Sequence, residues 1–149
     1  MTVSNHVLVG SAIALAVHQP ILALPLAFGS HFVLDALPHF GWSGQGYGEL
    51  FRHRLFYVGE GLDFIGLVVL VLTINFAVWT TLAAVILAVS PDFEWPYRYF
   101  LFERRGLRPP STFLTKFHQK IQWGERPWGI VVEVVFFIIG YALVRRYLL

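Results

Sequence analysis

The sequence predicts an all-α protein: a small polytopic transmembrane helical bundle of about five spans, with an interfacial amphipathic segment. Three observations carry that prediction. Of 149 residues, 56% are apolar and only 13% are charged, whereas ordinary soluble domains carry about a quarter charged residues. The apolar residues form long runs, and the polar ones collect at the ends of those runs. A soluble globule of this length would have to expose the excess, so a membrane is the expected solvent. Length gives a single domain, residues 1–149.

The first run extends from Val7 to Val17, closes on His18, Gln19 and Pro20, and resumes from Ile21 to Leu37. Proline after two polar residues predicts the turn of a helical hairpin, with His18 as a turn residue. A second hairpin follows, Leu62 to about Asn75 and Ala77 to Val89, and a fifth run extends from Trp128 to Val144 before Arg145 and Arg146. Residues 41–61 open with Gly41, Gly44, Gly46 and Gly48 around Trp42 and Tyr47, the composition of an irregular loop, and then carry Arg52, His53 and Arg54. Residues 91–127 interleave seven Lys and Arg with aromatic residues. There Phe113, Phe117 and Ile121 recur every four residues, with Lys116 and Lys120 off the stripe. This is the pattern of a basic helix in the headgroup layer, or of a helix packed onto the protein's own loops.

Counting sides gives the orientation. With five spans, the N-terminus and both long loops share one face, which holds nine Lys and Arg against Arg145 and Arg146 on the other. The positive-inside rule places that face, and the N-terminus, in the cytoplasm, with the chain integral to the inner membrane. No Lys or Arg precedes the first run and no clear cleavage site follows it, so no secretory signal is expected. A net charge of +2 with basic residues beside apolar runs points to anionic, phosphate-bearing lipid as the partner rather than nucleic acid.

Placing the ionisable residues on this scheme gathers them at the cytoplasmic end. His6 precedes the first span, and His31, Asp35 and His39 run down the end of the second. Glu60 and Asp63 open the third, Asp92 and Glu94 close the fourth, His118 precedes the fifth, and Glu133 lies just over one turn into it. Lipid cannot satisfy such groups, so they are expected to face an internal polar bowl. The absence of cysteine excludes thiolate chemistry and leaves imidazole and carboxylate, the ligand set of zinc, manganese or iron. On a helix the four-residue step from His31 to Asp35 brings both side chains to one face, within reach of a shared divalent cation, and His39 would continue that stripe. Plainer roles compete: an ion pair holding two helices together for His31 and Asp35, a boundary or hydrogen-bonding residue for His6, a turn or N-cap for Asp92 after Pro91, an interhelical hydrogen bond for Glu133, and headgroup contacts for Arg52, His53 and Arg54.

A His near the N-terminus followed by Gly10, then a second apolar helix ending in His31-x-x-x-Asp35-x-x-Pro38-His39, resembles the bacterial membrane-bound metal-dependent hydrolases. The same segment is similar to the His-x-x-x-Asp ligand segment of zinc-dependent phospholipase C. The resemblance implies a metal-dependent hydrolase acting on a phosphoester or other ester, a lipid above all, at the cytoplasmic face. It implies His31 and Asp35 as core ligands of a divalent metal, zinc first, with His6, His39 and Asp92 completing one or two positions. Glu60 or Asp63 would take the proton of the attacking water, and Arg52, Arg54 and His118 would hold the substrate. Two other classes stand beside this one: a membrane adaptor without catalysis, and a metal transporter. The sequence is silent on oligomeric state.

Overall fold

The structure, a computed structural model, describes residues 1–42 and 47–148. It is mostly helical, and each of the five apolar runs is a helix. Helix α1 (Val3–Ala16) and α2 (Pro20–Asp35) form the first hairpin. Pro20 supplies the fixed φ of a first helical position, and the Gln19 carbonyl accepts from Leu22 N–H and Ala23 N–H. A two-residue strand β1 (His39–Phe40) and a short helix α3 (Tyr47–Leu50) lead to α4 (Arg54–Thr73). The turn into α5 (Trp79–Val89) is held by Asn75, whose side-chain oxygen accepts from Ala77 N–H at 3.0 Å. Gly44 and Gly46 of the expected irregular loop lie outside the described residues.

Beyond α5 a 3₁₀ turn, Ser90–Phe93, leads into α6 (Glu94–Leu101). Helix α7 (Phe113–Ile121) starts at a capping box formed by Thr112 and Thr115. Strand β2 (Glu125–Arg126) then precedes α8 (Gly129–Leu148). The strands pair in parallel, His39 opposite Glu125 and Phe40 opposite Arg126. This bridge joins residues more than eighty positions apart, and the helical reading did not foresee it.

Helix α1 is the centre of the bundle and packs on α2, α4, α5 and α8. Gly10 lets α5 come close: a Cβ there would lie 2.9 Å from Ala88 Cβ and 3.2 Å from the Ala84 carbonyl oxygen. Ala14, Ala27, Ala84 and Ala88 fill this seam, so the helices meet through small side chains. On the other side of α1, Val7 and Leu8 pack with Leu70, Ile74 and Val144.

Two boundaries differ from expectation. Helix α4 begins at Arg54 rather than Leu62, so Glu60 and Asp63 lie within its first half instead of opening it. Helix α2 ends at Asp35, so His39 does not continue the His31 and Asp35 stripe. Pro38 is the physical reason, since the residue before a proline is driven away from helical geometry. Among the described residues, one helix, Arg54–Thr73, is long and apolar enough to cross a membrane.

Candidate metal centre

Four of the five expected ligands converge. His6 comes from α1, His31 and Asp35 from the last turns of α2, and Asp92 from the 3₁₀ turn after α5. One ligand atom from each lies within 4.8 Å of all the others, so the group could hold a metal ion. His6, His31 and Asp35 are fully buried and Asp92 is partly so. Helix direction explains the meeting: α1 starts at this end of the bundle, while α2 and α5 finish there.

His31 shows how the centre is poised. Its Nδ1 lies 2.8 Å from the Ala88 carbonyl oxygen. A carbonyl can only accept, so Nδ1 carries a proton and Nε2 is the ring atom left for other neighbours. Nε2 faces Asp35 Oδ2 at 3.2 Å, His118 Nε2 at 3.1 Å and Asp92 Oδ1 at 3.7 Å. A backbone carbonyl fixing one ring nitrogen while the other points at carboxylates is the outer support that metal-ligating histidines use. Gly10 contributes indirectly, because the close α1 and α5 seam sets the position of Ala88. His6 stacks on His31 with ring centroids 4.1 Å apart, and its Nε2 lies 3.1 Å from Asp35 Oδ1 and 3.8 Å from Asp92 Oδ2. Among the described residues, His6 Nδ1 is buried without a hydrogen-bond partner.

Asp35 is the anionic hub. His118 Nε2 approaches its Oδ2 at 2.7 Å, Gln122 Nε2 donates to the same oxygen at 3.4 Å, and the Met1 amine donates to Oδ1 at 2.5 Å. Burial works against charge on that amine. The Asp35, Glu133 and Asp92 carboxylates outweigh it and hold its pKa above the usual amine value. His118, expected to hold substrate, therefore sits in contact with the ligand group itself.

A cavity of about 620 Å³ adjoins the centre, with Met1, Asp92 and His118 in its wall. Glu60 and Asp63 both line it. Asp63 is nevertheless engaged, since its Oδ1 accepts from Ser4 N–H at 2.7 Å and so ties down the first turn of α1. Glu60 is exposed. Arg52 and Arg54 do not line the cavity: Arg52 is exposed and reaches Glu49 at 3.4 Å, and Arg54 is exposed at the start of α4. Among the described residues, the Lys or Arg that lines the cavity is Arg98, whose Nη1 donates to Glu94 Oε1 at 3.1 Å and whose buried Nε has no hydrogen-bond partner there. His39 stands apart from the four ligands, across the β1 and β2 bridge from Glu125.

Glu133 fills the hydrogen-bonding role open to it in the sequence. Oε2 accepts from Thr2 N–H at 2.7 Å, from the Thr2 hydroxyl and from Asn5 Nδ2 at 3.1 Å, while Oε1 accepts from Phe40 N–H at 3.0 Å. One carboxylate thus joins α8, the start of α1 and β1. Sequence reasoning missed Gln122, Glu125 and Arg98; only the position of Arg98 within the aromatic and basic 91–127 segment gave any signal. No family model, curated protein or solved structure matches the chain.

Proposed function

We propose that this chain is a membrane-embedded, metal-dependent hydrolase acting on a phosphoester or ester, with lipid as the substrate class, at the cytoplasmic face of the inner membrane. The observation that carries it is the buried group of His6, His31, Asp35 and Asp92 beside a cavity large enough for a substrate. Two imidazoles and two carboxylates suit zinc, with manganese or iron as the alternatives. A divalent cation held there would lower the pKa of a coordinated water to about 7 and polarise the scissile oxygen. Arg98 is placed to meet a negatively charged group in the cavity.

The membrane reading has its own support. A compact soluble monomer of this mass exposes about 7,700 Å², whereas this chain exposes 9083 Å². Much of that surface is apolar: Ile21 is 81% exposed, Leu72 78% and Phe64 67%. Only 17% of the apolar stretch of α4 is buried, unlike the core helix of a soluble protein. At 1.5 Å per residue, α4 and α8 extend about 30 Å, the thickness of a hydrocarbon core, and α1, α2 and α5 about 21, 24 and 16 Å. The shorter helices fit if their shared polar end lies at headgroup depth. There Phe113, Phe117 and Trp123 are exposed beside Lys116 and Lys120, as in a segment lying on an anionic leaflet. Transport is less well supported, because Val7 and Leu8, the residues that follow His6 on α1, pack with Leu70, Ile74 and Val144 in a buried apolar cluster.

The test is hydrolysis by purified protein in phosphatidylglycerol vesicles and, in parallel, of soluble bis(p-nitrophenyl) phosphate. Activity lost on chelation and restored by zinc supports the reading. Hydrolysis of neither probe by protein carrying its metal would refute it.

A further inference from the structure

His39 is buried and fixed by several contacts. Its side chain is 2% exposed, and Nδ1 lies 2.7 Å from the Leu37 carbonyl oxygen. As at His31, the carbonyl requires a proton on Nδ1, so in the neutral ring Nε2 is the acceptor. The backbone is fixed from three sides. His39 pairs with Glu125 in the parallel bridge, the next residue's N–H is held by Glu133, and Gly129 of α8 sits so close that a Cβ there would lie 2.1 Å from the His39 carbonyl carbon. No side chain but glycine fits at that position.

What remains free is Nε2. Among the described residues it has no hydrogen-bond partner, and its charged neighbour is Glu125 Oε1 at 3.8 Å. Both residues line the cavity, so a proton taken up at Nε2 would face the Glu125 carboxylate. Asp63 is occupied by Ser4 N–H, and His31 and His118 are turned to Asp35. His39 is therefore the imidazole in the cavity wall that neither a hydrogen bond at Nε2 nor the ligand group engages.

We propose that His39, with Glu125 beside it, is the proton-transfer residue of the cavity; this rests on the hydrolase reading above. Nε2 takes one proton from the attacking water as the water oxygen bonds to the electrophilic centre of the ester. The imidazolium, stabilised by Glu125, returns that proton to the alcohol oxygen as its bond to the same centre breaks. Ester and water are consumed, acid and alcohol are formed, and His39 ends neutral.

Two measurements test this. Histidine-selective ¹⁵N NMR of the detergent-solubilised protein, with His39→Gln to assign the resonance, is expected to show the Nδ1–H tautomer with Nε2 bare; a proton on Nε2 in the neutral ring overturns the proposal. Zinc-loaded His39→Ala is expected to keep its metal and to lose about 10²-fold or more in kcat on bis(p-nitrophenyl) phosphate. Added imidazole should restore part of that loss, which it would not do for a fold defect, and Glu125→Gln should fall by less. Retained metal with unchanged kcat, or a loss that imidazole does not rescue, overturns the role of His39 and leaves the metal centre standing. A metal-loaded wild type that hydrolyses nothing removes the hydrolase reading and this proposal with it.

Discussion

Replacing Glu133 by Gln probes the joint that holds the centre's supports together. Three donors, Thr2 N–H, the Thr2 hydroxyl and the Asn5 amide, converge on Oε2, and Phe40 N–H meets Oε1. Glutamine preserves the size and one acceptor oxygen but removes the charge and presents an NH₂ group to donors on one side. Hydrogen bonds to a charged group are worth about 1.5–3 kcal/mol each, and unpaired buried donors add to the loss. Such terms do not sum, and removing one partner of a buried charged network costs about 3–5 kcal/mol in all. For a chain of this size each kcal/mol moves Tm by roughly 2–4 °C, so the apparent midpoint should fall by roughly 6–20 °C. Thermal unfolding in detergent, followed by helical circular dichroism, reads this. A midpoint within about 2 °C of wild type would show that the Glu133 joint contributes little. Weaker zinc binding should accompany the loss, because Thr2 and Asn5 set the turn that carries His6.

Three further outcomes follow from the same geometry. Asp35→Asn keeps the side chain's shape but removes the anion that His118, Gln122 and the Met1 amine surround, so bound metal measured by elemental analysis should disappear while helical content persists. Gly10→Leu should force α1 from α5, costing about 1–3 kcal/mol by overpacking, and should weaken zinc affinity in a calorimetric titration because the Ala88 carbonyl would no longer meet His31 Nδ1. Arg98→Ala should raise KM for bis(p-nitrophenyl) phosphate about tenfold, whereas the Arg52→Ala, Arg54→Ala double variant should stay within about twofold; the reverse ranking would put the anion site outside the cavity.

The legible part of the centre was the part set by local periodicity. His31 and Asp35 share a helix face at a four-residue step, and the hairpin directions bring His6 and Asp92 to the same end, so counting apolar runs sufficed to gather them. His39 escaped because one residue, Pro38, ended the helical register and sent the chain into a bridge whose partner, Glu125, lies far along the sequence. No short-range pattern encodes such pairing. Glu60 and Asp63 were placed at a helix start because the hydropathy run begins at Leu62, yet α4 forms from Arg54, since a helix can extend beyond its apolar stretch. Arg98 and Arg52 look alike as sequence, and only packing decides which one lines a cavity.

Elemental analysis of the detergent-purified protein, wild type beside His31→Ala, tests the central claim most directly. We expect a stoichiometric divalent metal, zinc first, in the wild type and its loss in the variant. Wild-type protein that takes up no metal, or a His31→Ala variant that retains it, would contradict the account.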